Sequence, residues 1–456
     1  MKPQAIKALQ DLLGREGFSR SKADTQAVSS DAALKGPRPA AVARPRRTEE
    51  VARIIGLANR FGFPVYPRGA GTGKAGASLA SEQGLVLDLS RMDRILELNP
   101  RDMLARVEPG VITVHLQAAA EAEGLYYPPD PASRETSTLG GNLATCAGGV
   151  RAVKYGVTRD YVLGLTAVMG SGEVIRTGTR TIKGVVGYDL TRLLVGSEGT
   201  LGVITRATLK LIPRPPARST LVGVFPDLEA AALAVNSLLR AGSWPAALEF
   251  LDQTVLQAVK KELPFELAPQ EGALILVELD GSEEAVREES RQAARFLTDQ
   301  GGRVIRAGND QEAQALWAAR RSVSETLKEL KPHKVSEDVA VPRSRLAEAV
   351  RKLEELGRET GLLVAAYGHA GDGNIHVNIL YESGEESKVD KAVAKVFRIA
   401  LDLGGTLSGE HGVGLTKAAF LDWELGQQEI GLMKGLKALF DPQGILNPGK
   451  IFPPAK

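Results

Sequence analysis

The chain has 456 residues, too many for one ordinary hydrophobic core, and its apolar content is enough for two domains of comparable size. Its 57 basic and 55 acidic residues nearly cancel, which removes the electrostatic argument for a nucleic-acid or anionic-membrane ligand and favours small-molecule chemistry. A single cysteine, Cys146, excludes an internal disulfide framework and any Cys-rich metal or iron-sulfur site within this chain.

In chain order, Met1 to Gly14 reads as an amphipathic helix interrupted by Lys2, Lys7 and Asp11. No apolar run reaches bilayer length and no secretory signal is visible, so a cytoplasmic location is expected by default. Gly36 to Arg47 is a proline- and arginine-rich extended lead-in. Glu49 to Phe61 has helical spacing, and Pro64–Arg68, Leu85–Leu89 and Ala105–Glu108 are strand candidates. His115 falls in a helical pattern after Gly110 and reads as a surface or packing residue. Cys146, in a Gly-rich segment without a nearby histidine, reads as a small buried residue. A strand from Gly202 to Leu211 closes at Pro213, Pro215 and Pro216, the best domain boundary. Beyond it, strands such as Ala273–Glu278 alternate with charged amphipathic helices such as Glu283–Gln300, as in an open sheet backed by helices. His333 reads as a loop residue. The tail from Leu415 holds a helix and a turn-rich end, Phe440 to Lys450.

Pro67-Arg68-Gly69-Ala70-Gly71-Thr72-Gly73-Lys74-Ala75-Gly76 formally matches G-x-G-x-x-G. A dinucleotide-binding Rossmann turn must open a long helix, yet here another strand begins near Leu85. Successive backbone N–H groups of a glycine-dense loop can wrap a pyrophosphate without a helix, so a phosphate cradle and a simple turn both fit this loop taken alone.

Three of the five histidines lie in two segments, Gly368-His369-Ala370-Gly371-Asp372-Gly373-Asn374-Ile375-His376-Val377-Asn378 and Ser408-Gly409-Glu410-His411-Gly412. An apolar run to Tyr367, turn residues at Gly371–Asn374 and alternation from Ile375 predict a hairpin. That register makes His369 and His376 directly opposed, with Cβ atoms roughly 5 Å apart. Asn378 shares the face of His376 and is within reach of a ligand held there. Taken alone the pair suits either a structural cross-strand contact or a metal. With the Glu410 carboxylate it becomes a two-His-one-carboxylate set suited to Mn, Fe or Zn. On the helix around Trp317–Ser324, Arg320 and Ser324 are four apart on one face, able to hold a carboxylate together.

Two more segments, Ser137-Thr138-Leu139-Gly140-Gly141-Asn142-Leu143-Ala144-Thr145-Cys146-Ala147-Gly148-Gly149 and Gly187 to Thr205, follow the glycine loop. In this order and spacing the three resemble the vanillyl-alcohol oxidase and p-cresol methylhydroxylase flavoproteins. The histidine segments narrow the likeness to the FAD-linked D-2-hydroxyacid dehydrogenase branch: glycolate oxidase D-type subunit, D-lactate dehydrogenase and D-2-hydroxyglutarate dehydrogenase. It covers about Pro39 to Phe452.

The resemblance implies an α+β fold: a two-subdomain FAD-binding domain, an α/β cap with an antiparallel sheet, and a C-terminal segment that returns to the FAD domain. The expected bounds are an N-terminal helical segment over 1–35, the FAD domain over 36–215, the cap over 216–405 and the returning segment over 406–456. It implies that Pro67, Arg68, Gly69, Ala70, Gly71, Thr72 and Gly73 cradle the FAD pyrophosphate. Ser137, Thr138, Gly141, Asn142, Ala144, Gly148 and Ile204 would line the flavin, joined by Glu198 and Asn447. No histidine lies between Val65 and Leu79 to carry a covalent flavin, so dissociable FAD is expected. The likeness further implies a divalent metal on His369, His376 and Glu410, His411 as general base, and Arg320 as anchor of the substrate carboxylate.

Relatives acting on dicarboxylates carry a lysine that aligns with Ser336, and Lys334 matches only by a shift of two, which favours glycolate or D-lactate over 2-hydroxyglutarate. With no iron-sulfur ligands, electrons would leave to oxygen, a quinone, an electron-transfer flavoprotein or a separate iron-sulfur subunit, through which membrane association and a larger assembly are open; a homo-oligomer is also open. The competing readings are a glycolate oxidase subunit with little activity alone and a flavin-fold synthase without net oxidation.

Overall fold

The computed structural model describes residues 1–452 and divides into two compact units. Unit 1 comprises Met1–Gly148, Val157–Arg214 and Glu410–Lys456, and unit 2 comprises Gly149–Gly156 and Pro215–Gly409. Among the described residues, no helix is long and apolar enough to cross a membrane.

Unit 1 holds two main sheets. In the first the strands run in the order Phe18–Ser19, Ala41–Ala43, Leu85–Asp88, Val65–Arg68, the last three parallel. The helix Thr48–Phe61 places Val51, Ile54, Ile55 and Ala58 on one stripe, and that stripe buries against Ala41, Val65 and Leu85 with Leu9 of the helix Pro3–Gly17. It stops at Gly62, whose φ of 70° provides the left-handed cap that a side chain would resist. The second sheet is antiparallel, in the order Ile95–Asn99, Leu104–Val107, Gly202–Lys210, Val162–Met169, Val174–Gly178. The C-terminal stretch belongs to this unit and is stitched in by backbone: the Asn447 N–H donates to Val65 O and the Val65 N–H to Ile445 O, each at 2.8 Å.

Unit 2 is built on a seven-stranded antiparallel sheet in the order Arg303–Arg306, Ala217–Phe225, Ala273–Gly281, Ala247–Leu251, Leu363–His369, Asn374–Tyr381, His333–Ala340. The α+β class and the antiparallel cap sheet expected from the sequence are both present. Strand alternation sorts the side chains into two faces. Helices Leu228–Arg240, Glu283–Asp299, Leu346–Thr360 and Glu386–Asp402 cover one. On the other, Val222, Leu274, Leu276, Leu251 and Tyr367 bury against helices Gln253–Ala258 and Asp310–Thr326. This second face changes character along the sheet: apolar in the central strands, it becomes polar at His369, His376 and Asn378.

The segment Gly149–Gly156 joins unit 2 although unit 1 flanks it on both sides. Two ion pairs and a hydrogen bond tie it there: Arg151 Nη1 lies 2.7 Å from Glu278, Lys154 Nζ lies 2.7 Å from Asp280, and the Tyr155 hydroxyl donates to the same Asp280 at 2.8 Å.

Two local expectations are corrected. His333 is not in a loop but opens the strand His333–Ala340, its Nε2 2.9 Å from Ser383 Oγ and its ring against Tyr381. Cys146 is half-buried, not buried, and sits at φ 54° as the left-handed cap of the short helix Leu139–Thr145. His115 lies in the helix Thr113–Ala122, as expected.

Candidate active site

In unit 1 the strand Val65–Arg68 runs directly into the glycine loop, and no long helix follows it before the next strand at Leu85. Crowding explains two of the glycines. A Cβ on Gly69 would stand 2.2 Å from Thr138 Oγ1, and one on Gly71, whose φ is 73°, would stand 2.0 Å from Arg68 Nη2. Arg68 is tied to Ser78 Oγ (3.1 Å) and Ser30 O (2.8 Å); burial pulls its guanidinium below the usual arginine range. Thr138 caps the short helix Leu139–Thr145, its Oγ1 accepting from the Gly141 N–H at 3.3 Å.

Residues 67–74, the Thr138–Gly148 turn and helix, Ser197–Gly199 and Gly202–Ile204 line a single cavity, with Glu410 and His411 on its wall. The loop residues Pro67 to Gly73 and Thr138, Gly141, Asn142, Ala144, Gly148, Glu198 and Ile204 are thus brought together around this one cavity. Ser137 and Asn447 stand behind that wall. Ser137 Oγ lies 2.9 Å from Thr113 Oγ1, and Asn447 Nδ2 donates to Ala77 O (2.9 Å) and Glu198 O (2.6 Å). Glu198 reaches across to the segment after His411, its two carboxylate oxygens accepting from the Val413 and Gly414 N–H groups at 2.8 and 2.9 Å. Burial pushes its pKa up, while those two N–H groups favour the anion. The loop that carries His411 is therefore held from below by a carboxylate. Glu410 packs close to Gly148, where an added Cβ would come within 2.9 Å of its Oε2.

In unit 2 the predicted hairpin is present, but its register is shifted by two residues. The loop is Ala370–Gly373, so His369 opposes Asn374 and Tyr367 opposes His376. The two histidines are therefore diagonal neighbours on one face and not directly opposed. A shift of two preserves the face. Their ring centroids are 5.2 Å apart at 87°, and both residues are buried. Asn378 lies on the same face, fully buried.

The residue that sequence reasoning missed is Glu249, in the apolar strand Ala247–Leu251. It pairs across the sheet with His369, and its Oε1 lies 2.6 Å from His369 Nδ1. Its Oε2 accepts from Arg320 Nε (2.9 Å) and Nη2 (2.6 Å). A lone carboxylate inside an apolar strand was the available signal, since a buried charge demands partners. Arg320 also lies over the Tyr367 ring at 4.6 Å. Ser324, one turn on, is engaged by Lys334, whose Nζ donates to Ser324 O (2.7 Å) and Oγ (3.0 Å). Lys334 and Ser336 alternate onto the same strand face, with Ser336 opposite Asn378.

Two family models match the chain: "FAD binding domain" over residues 39–178 and "FAD linked oxidases, C-terminal domain" over residues 214–451. The glycolate oxidase subunit GlcD of Bacillus subtilis (strain 168) is 43% identical over 445 residues, covering 96% of this chain and 94% of the relative. The chain belongs to the FAD-linked oxidases. The D-lactate dehydrogenase of Anaerostipes hadrus is 36% identical over 462 residues, covering 98% of this chain and 97% of the relative. This FAD-linked oxidase falls in the D-2-hydroxyacid dehydrogenase branch and is a flavin-dependent oxidoreductase. In fold it is similar to p-cresol methylhydroxylase with substrate bound, at a TM-score of 0.82 and 17% identity, over 99% of this chain and 96% of that one.

FAD fits the residues present. The cavity of unit 1 is bounded by Gly69 and Gly71, where a Cβ would meet Thr138 and Arg68, by a buried arginine and by a capped helical turn. The paired imidazoles of unit 2 also fit a metal: a carboxylate on His369 Nδ1 selects the tautomer whose Nε2 carries the ligating lone pair.

Proposed function

We propose that this FAD-linked oxidase converts a D-2-hydroxy acid, with glycolate or D-lactate favoured, to the 2-keto acid and passes the electrons to an acceptor other than NAD. Its relatives at 43% and 36% identity are a glycolate oxidase subunit and a D-lactate dehydrogenase. The observation that carries the reading is His411 on the wall of the same cavity that the three flavin segments line.

Bound FAD, held without a covalent link, supplies a hydride acceptor at N5, and a bound divalent Mn, Fe or Zn supplies a Lewis acid that lowers the pKa of the substrate hydroxyl. His369, His376 and Glu410 are the donor set for that metal. His411 accepts the hydroxyl proton at a ring nitrogen, work that suits an imidazole near neutral pH. Arg320, with its Nε and Nη2 turned to Glu249, presents Nη1 to the substrate carboxylate, and Ser324 and Asn378 complete the polar lining. The acceptor is oxygen, a quinone, an electron-transfer flavoprotein or a separate iron-sulfur subunit.

Anaerobic mixing of the yellow protein with glycolate, D-lactate, L-lactate and D-2-hydroxyglutarate tests this. Bleaching of oxidised flavin by glycolate or the D-acid, with L-lactate inert, is the expected result. No bleaching in metal-replete protein rejects an independent dehydrogenase.

A further inference from the structure

Glu249 makes contacts that neither packing nor the flavin chemistry calls for. Its side chain is fully buried in a strand that is otherwise apolar, where an unpaired carboxylate would be strongly destabilising. Both oxygens are committed: one to the Nδ1 of His369, the other to two nitrogens of Arg320. These two partners come from separate elements, the strand Leu363–His369 and the helix Asp310–Thr326. Tyr367 closes the arrangement, with Arg320 over its ring at 4.6 Å and the His376 ring centroid 5.2 Å away.

A carboxylate placed on Nδ1 fixes both the tautomer and the ring plane of a metal-ligating histidine, and raises its basicity as a ligand. The same carboxylate occupies one edge of the guanidinium and so sets the direction of the other edge. We propose that Glu249 is a positioning residue that aligns the metal ligand His369 and the carboxylate anchor Arg320 through one buried group, so that metal affinity and substrate binding are set together. This rests on the dehydrogenase reading above.

The test uses full-length holoprotein stripped of metal with a chelator and titrated with Zn²⁺ by calorimetry, alongside flavin content and steady-state kinetics with the acid that bleaches the flavin. Glu249→Gln is expected to weaken Zn²⁺ binding about 10–100-fold and to raise KM about tenfold, with flavin content unchanged. A purely structural role would lower the melting temperature and leave the Zn²⁺ affinity of the folded protein as in wild type. Because Glu249→Gln leaves Arg320 without its buried counter-charge, the double variant Glu249→Met/Arg320→Met replaces the pair with apolar groups of similar size, an exchange that folded proteins tolerate. It is expected to show the same loss of Zn²⁺ affinity. Wild-type Zn²⁺ affinity in either variant, or a loss of affinity in Glu249→Gln with no change in KM, overturns the proposal. His369→Ala separates the two layers: if it binds Zn²⁺ as wild type does, the metal reading itself has failed and the inference falls with it.

Discussion

His369 and His376 stand diagonally across their hairpin, His369 facing Asn374 and His376 facing Tyr367. This offset depends on the loop Ala370–Gly373, and its tightest point is Gly373. There φ is 78°, and an added Cβ would stand 2.0 Å from Val341 O. Gly373→Ala is expected to cost roughly 1–3 kcal/mol in backbone strain, with the steric contact adding to it. Urea unfolding measures that loss, and Zn²⁺ titration of the folded variant should show weakened binding; an unchanged midpoint and affinity would mean that the loop does not set the pair.

His411→Ala is expected to keep its flavin and lose flavin reduction by about 10²–10⁴-fold, the usual worth of a positioned proton acceptor. Stopped-flow absorbance under anaerobic conditions reads the rate, and the visible spectrum reads flavin content. Glu410→Ala should lower metal content and rate together, and a normal metal content would remove Glu410 from the donor set.

Gly69→Ala addresses the flavin cavity. The new Cβ would lie 2.2 Å from Thr138 Oγ1, the group that caps the helical turn on the opposite wall. The loop or the cap must give way, and FAD affinity is expected to fall by at least about tenfold, equal to 1.4 kcal/mol. Flavin-to-protein ratio after gel filtration checks this; full flavin retention would place the cofactor away from this loop.

Asp252 gives a pH dependence. It is buried, caps the helix Gln253–Ala258 through the Val255 N–H and accepts the Ala366 N–H at 2.6 Å, and burial pushes its carboxyl up to about 7 from 3.8. The folded state therefore keeps its proton where the unfolded chain has lost it. The associated stability is fully present below about 4 and is lost as pH rises through about 7. Asp252→Asn removes this titration, so its destabilisation relative to wild type should be larger at pH 4.5 than at pH 7.5. Melting curves at the two pH values decide, and an equal difference at both would show that Asp252 does not titrate in this window.

The glycine loop and the strand Gly202–Lys210 are legible because each depends on local chemistry, backbone access in the first and a proline-bounded apolar run in the second, whereas the cap that Thr138 places on the helix Leu139–Thr145 is shown only by the structure. The hairpin was legible in kind but not in register. Asn374 has the composition of a turn residue, yet it opens the strand, held there by its Nδ2 on Val339 O at 2.9 Å, a contact between strands that spacing does not encode. His333 was read as a loop residue for a similar reason, since the pairing that makes it a strand is with Tyr381, far along the chain. Glu249 lies 120 residues from His369 and 71 from Arg320. No periodicity links them, and only the order of strands in the sheet brings the carboxylate to the imidazole.

Arg151, Lys154 and Tyr155 neutralise or bind Glu278 and Asp280, carboxylates that are nearly or fully buried in the sheet of unit 2. Unit 2 is consequently not a portable cassette. Residues 215–409 moved alone would carry those acids without Arg151, Lys154 and Tyr155, so a graft of this unit is expected to fold only where the short stretch 149–156 travels with it.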